Sequence, residues 1–187
     1  MKNLHLLGMA MIIALAFASC GSEKQATNSN YREKLQTPCY KESRSDANYF
    51  RELGIGSGAN EGSAKLDAID NANEIMNRRL GRLVKGVSDD YSRTLSGQAP
   101  ADKVQRIVES GFHSVITKML NDADNPCEEG YRENGKITYY YVIEISKKEL
   151  KEQVAEVLSK DEELEGLFYR QKFFDSYEKE LKGMKDE

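Results

Sequence analysis

The sequence predicts an α+β fold: a small antiparallel sheet packed on one long helix, with additional C-terminal helices. Three patterns carry that expectation. Apolar residues recur at three- and four-residue steps from Ala64 to Val87, the period of a helix with one buried face. Between Lys136 and Ser146 they alternate instead, the period of a strand. Two more helix-period stretches follow Lys148, so the order is strand, long helix, strand, strand, helices.

The N-terminal end reads differently from the rest. Lys2 precedes an unbroken apolar run, Leu6 to Phe17, which closes on the small residues Ala18-Ser19 and then Cys20-Gly21. A charged start, a short apolar stretch and a small-residue cleavage site make a secretory signal peptide over residues 1–19. The run is shorter than the ~20 residues of a membrane-spanning helix. Cys20 at that place resembles the acylated cysteine of a bacterial lipobox, with Phe17 standing where an aliphatic residue is usual. Each buried methylene of an attached chain contributes about 0.8 kcal/mol, so the two or three chains of a lipoprotein cysteine give a stable anchor. Gly21, in place of an Asp, favours outer-membrane sorting. Residues 20–47 are polar and read as the acylated cysteine and its tether, with Thr37-Pro38-Cys39-Tyr40 able to dock on the domain. A single α+β domain is expected over residues 48–187, its helical C-terminal part covering 148–187.

Within that domain Tyr49–Gly56 reads as a strand entering the turn Ser57-Gly58-Ala59-Asn60. The long helix follows, capped by Asn60 or Ser63, with Ala64, Ala68 and Ala72 allowing close approach to a sheet. Gly81 or Gly86 is expected to bend it before Ser88-Asp89-Asp90. Gly97-Gln98-Ala99-Pro100 breaks the pattern, and a shorter helix spans Asp102 to Ser110, stopped by Gly111. Val115–Leu120 reads as the next strand and Asn121–Gly135 as a polar connection. In the strand Lys136–Ser146, Ile137, Tyr139, Tyr141, Ile143 and Ile145 form the core face. Thr138, Tyr140, Val142, Glu144 and Ser146 form a mixed face, expected to be largely wet. Lys148–Leu158 is a helix, and Ser159-Lys160-Asp161-Glu162 resembles a capping box opening the last one.

Charge and composition exclude some functions. With 27 basic and 31 acidic side chains, and only Lys2 lost with residues 1–19, the chain lacks the positive field that nucleic-acid binding needs. Beyond residue 19 a single histidine, His113, remains, and there is no Cys-x-x-Cys pair, so neither a metal site nor a cofactor is expected. His113 has no Gly-x-Ser-x-Gly partner motif and reads as a surface or satisfied histidine. Carboxylates are abundant, yet nothing singles out a catalytic pair, and the chain is not expected to be an enzyme. Gly54-Ile55-Gly56-Ser57-Gly58-Ala59 matches a dinucleotide fingerprint in letters, but the acid and parallel strand it requires would fall inside the long helix. Cys39 and Cys127 form an even pair suited to an oxidising compartment. A bridge would close a loop of about 90 residues, worth roughly 4–5 kcal/mol on a chain-entropy account; two unpaired thiols are the alternative.

Two aromatic groups invite a binding reading. Alternation sends Tyr140 outward, where Tyr49, Phe50 or Tyr131 can join it in an exposed patch. In the last helix Phe168, Phe173, Phe174 and Tyr177 read as core, but Phe173 and Phe174 together exceed one narrow stripe and are the pair that would support self-association.

The segment Tyr49–Ser57 with the Ala-spaced helix after it, and the strand Tyr139-Tyr140-Tyr141-Val142-Ile143-Glu144-Ile145 followed by Lys147-Lys148-Glu149-Leu150, resemble the LPP-twenty family of envelope lipoproteins, with Cys20 matching its lipid anchor. That resemblance implies a β-α-β-β, dodecin-like core and a non-catalytic structural or interaction role at the cell envelope. The expected partners are the membrane, through the N-terminal lipid, and an envelope protein or a second copy. A glycan- or small-ligand-binding face around Tyr140 is the other reading.

Overall fold

The alternating stretch Lys136–Ser146 becomes the central strand of a three-stranded antiparallel sheet in a computed structural model that describes residues 37–184. The stretch read as a signal peptide, Cys20 and the first part of the expected tether lie outside the described residues. Along the chain the elements are β1 (Tyr49–Gly58), α1 (Glu61–Thr94), α2 (Ala101–Asn121), β2 (Asp124–Glu133), β3 (Lys136–Ser146), α3 (Lys147–Ser159), a 3-10 turn at Glu162–Leu164, and α4 (Arg170–Gly183). The sheet order is β1-β3-β2. The expected class holds: a small antiparallel sheet lies on a long helix, with helices after it.

The sheet meets α1 through missing side chains. Phe50, Glu52, Gly54, Gly56 and Gly58 of β1 face the helix, and Ala64, Ala68 and Ala72 face back, fully buried. A Cβ built on Gly54 would lie 1.9 Å from the Ala68 carbonyl oxygen, and one on Gly56 2.2 Å from the Ala68 nitrogen. Backbone therefore rests directly on backbone. The three glycines have no positive φ, so they serve approach rather than a turn, and the strand runs to Gly58 instead of ending at Gly56. Asn60 caps α1, its side chain accepting from Ser63 N–H.

α1 continues for 34 residues through Gly81, Gly86 and Ser88-Asp89-Asp90, past the bend expected there. Its second half packs on α2 and α4: Met76, Leu80, Leu83, Val87, Tyr91 and Leu95 join Val104, Val108, Phe112 and Phe173 in the main core. Tyr91 is fully buried, and its hydroxyl accepts from Tyr169 N–H at 3.0 Å. Tyr177 donates to the Lys147 carbonyl at 2.9 Å, and burial pushes its phenol pKa well up.

Three expectations are corrected. Gly111 does not stop a helix; α2 runs through it to Asn121, so Val115–Leu120 is helix rather than strand. Val115 and Ile116 continue the buried period of Val104, Ile107, Val108 and Phe112, and Gly111 is where Leu158 of α3 presses closest. The second strand is β2, in the stretch read as a polar connection. It is bound to β3 by a two-residue hairpin whose Asn134 and Gly135 both have positive φ (51° and 80°), the conformation for which Asn-Gly is suited. The last helix does not open at Asp161. That side chain accepts from Glu163 and Leu164 N–H and caps only the 3-10 turn; the chain then turns at Gly166 (φ 72°) before α4.

Candidate binding face on the outer side of the sheet

Side chains of one sheet face share cross-strand rows, and the register assembles them on the side away from α1. One row is Leu53, Val142 and Cys127; the next is Ile55, Tyr140 and Glu129; the third is Ser57, Thr138 and Tyr131. Sequence alternation alone leaves all three wet. The structure covers the first and leaves the other two more open: Val142 is fully buried, while Ile55 is 46% and Tyr131 49% exposed.

The cover is the stretch ahead of β1. Cys39 and Cys127 are bonded, with an S–S distance of 2.04 Å and Cα atoms 5.7 Å apart, so the chain is fastened above β2. Six residues later Ser45 exchanges hydrogen bonds with the Arg51 backbone at the far edge of β1 (2.9 and 3.2 Å). Two strand spacings of about 4.8 Å separate those points, so residues 39–45 cross the sheet as a strap. Its end is held by Asp46, which accepts from Asn48 N–H, Tyr49 N–H and Arg51. The Asn48 amide leads in holding the Asp46 carboxyl below its usual range, with Tyr49 and Arg51 adding to it. Arg51 also pairs with Glu144, its register partner, and Lys147 Nζ donates to the Asp46 carbonyl. The boundary of the domain accordingly lies ahead of residue 48, and residues 37–47 belong to it.

Beyond the strap lies the uncovered patch. The Tyr131 and Tyr140 rings meet edge to face with centroids 5.9 Å apart. Tyr131 donates its hydroxyl to Glu129, and that bond to a carboxylate raises the phenol pKa. Glu129 Oε1 also sits 3.8 Å from both cystine sulfurs. A two-cysteine, one-carboxylate cluster has the composition of a soft-metal site, but both sulfurs are committed to the S–S bond.

Other candidates fare differently. Phe50 lies on the opposite face, buried against Arg79 and Lys147, and Tyr49 sits at the far end of β1 beneath Arg51. Neither joins Tyr140. Phe173, expected with Phe174 as a self-association residue, is fully buried among Tyr91, Phe112, Phe168 and Phe174, because α4 packs against α1 and α3 and turns that side chain inward. Tyr139 faces α1 as alternation requires, with Lys65 Nζ 5.7 Å from its ring centroid and 2.7 Å from Glu128. His113 is exposed on α2, lining a cavity of about 510 Å³ with Asn77, Lys85, Asp89, Gln105 and Glu109. There Glu109 accepts from Ser88 and Asp89 from Gln105, and the His113 ring has no hydrogen-bond partner among the described residues. Ile55, Glu129 and the part of the strap beyond Tyr40 were not singled out by sequence; the signal for the first two was their position opposite Tyr140. No family model, no curated protein and no solved structure matches the chain.

Proposed function

We propose that this chain is a lipid-anchored cell-envelope protein that acts by binding, as a non-catalytic interaction module displayed from the outer membrane through acylated Cys20. The observation that carries the reading is the uncovered patch of Ile55, Tyr140 and Tyr131 beside a covalently fastened strap. Exposed aromatic and aliphatic side chains cost solvation free energy and are characteristic of contact surfaces. A cystine suits an exported domain, the lipobox-like Cys20 suits an anchor, and the LPP-twenty resemblance points the same way.

The test is site-specific photocrosslinking in cells producing the full lipidated protein. A photoreactive residue at Tyr140 is expected to give one reproducible adduct with an envelope protein or a second copy. The same group at Asp102, exposed on α2, is expected to give none. Equal patterns from both positions, or no adduct from Tyr140, would overturn the reading. The exposed Tyr131 and the half-buried Tyr140 beside it can also stack on a sugar ring; a soluble glycan that abolishes the Tyr140 adduct would turn the proposal toward that ligand.

A further inference from the structure

The two edges of the sheet are finished differently. On β1 the outward-pointing backbone belongs to Arg51, Leu53, Ile55 and Ser57, and side chains take groups of three of them: Ser45 takes both groups of Arg51, Asn71 donates to the Ile55 carbonyl at 2.9 Å, and Asp67 accepts from Ser57 N–H at 2.9 Å. Unpaired edges invite pairing with another chain, and capping them suppresses it. β1 is thus blocked on both sides of Leu53, leaving no long run free for a fourth strand.

β2 has no such closure. Because β3 turns its odd-numbered backbone groups to β1, its even-numbered ones face β2, and these pair with Cys127, Glu129, Tyr131 and Glu133. The outward edge therefore carries the N–H and C=O groups of Glu128, Gly130 and Arg132, which meet no partner among the described residues. The strand is also rigidly held, by the hairpin at Asn134-Gly135 and the cystine at Cys127, so the edge is preformed.

We infer that the β2 edge binds an extended, lysine- or arginine-bearing polypeptide segment of a partner protein as a fourth antiparallel or parallel strand. The outer-face neighbours of such a strand would be Glu129, Tyr131 and Glu133. Neither Glu129 nor Glu133 has a cationic partner among the described residues, whereas Glu128 on the inner face is taken by Lys65. Basic side chains four residues apart on one face of the incoming strand would meet both carboxylates across the strands, and an apolar residue midway between them on that face would meet the Tyr131 ring. Pro126, which has no N–H, limits the open edge at one end and the hairpin limits it at the other.

This inference rests on the interaction reading above and names the partner chemistry of the same face. The test uses the full lipidated chain in detergent micelles and a capped peptide about eight residues long, Lys-Thr-Val-Thr-Lys at its centre with Thr on either side. The expected result is binding that slows amide exchange of Glu128, Gly130 and Arg132 by at least about tenfold. A peptide N-methylated on every second residue along its pairing edge is expected not to bind, and the Glu129→Lys/Glu133→Lys variant to bind the parent peptide about tenfold more weakly. Binding without protection of those amides, equal binding of the N-methylated peptide, or protection already present before the peptide is added would each overturn it. If the Tyr140 adduct persists while the peptide fails, the edge inference falls and the interaction reading stands; loss of both removes both.

Discussion

A Cβ at residue 54 has nowhere to go. The nearest atoms are the Ala68 carbonyl oxygen and Ala72 nitrogen, both backbone, so Gly54→Ala must push the sheet off the helix. The cost is expected to exceed the ~3 kcal/mol of ordinary overpacking, seen as a large drop in the urea midpoint or failure to fold. Gly81 is the opposite case: it is exposed in mid-helix with nothing within 4 Å of a built Cβ, so Gly81→Ala should stabilise by about 0.5–1 kcal/mol. The letters of the sequence do not separate these glycines. Gly54 and Gly56 sit in a string that imitates a nucleotide fingerprint, and what distinguishes them is alternation. Every second residue from Phe50 to Gly58 faces the helix, and opposite Gly54 and Gly56 the contact positions are Ala64, Ala68 and Ala72.

At the scale of elements, legibility followed burial. β3 and α1 bury one face each and carry the matching period, so both are plain in the sequence. β2 buries almost nothing, with nine of its ten residues exposed, so no apolar alternation marks it. It exists because a tight hairpin and a cystine place it against β3, and the one local signal was Asn134-Gly135 between two strand-length stretches. Gly135→Val tests that account. The residue must hold φ near 80°, which a β-branched side chain resists by about 1–2 kcal/mol. The expected outcome is faster amide exchange throughout β2 with little change in the helices; uniform destabilisation instead would mean the hairpin does not hold the strand separately. The misreading of α2 has the converse cause. Gly111 looked like a terminator, yet it gives room to Leu158 at a helix crossing, a role visible only once α3 is in place.

The whole molecule is fastened across long sequence distances, first by the cystine, whose residues are 88 apart. Replacing both Cys39 and Cys127 by Ser is expected to cost roughly 2–5 kcal/mol. It should also speed exchange at Val142, because the strap then keeps only the contacts of Ser45 and Asp46. Carboxylates make the remaining joints. Asp46 ties the strap to β1, Glu128 ties β2 to α1 through Lys65, and Asp90 ties α1 to α4 through Lys179. All three have lowered pKa values: the Asn48 amide leads for Asp46 and the Lys65 hydrogen bond for Glu128, while at Asp90 burial pushes upward and is outweighed by Lys179 and Arg93. A depressed folded-state pKa means the unfolded chain binds the proton more readily. The stabilisation is therefore complete above the ordinary values of 3.8 and 4.5 and is lost as pH falls below them through the folded-state values. Melting temperature should accordingly be flat near neutral pH and fall steeply between about pH 5 and pH 3. Asp90→Asn should be less stable than the parent at neutral pH, with the gap closing on acidification, because protonation removes from the parent the same charge that the substitution removed. A gap that stays constant with pH would show that Asp90 acts by packing, not by its charge, and that α4 is held to α1 by the aromatic cluster around Phe173 alone.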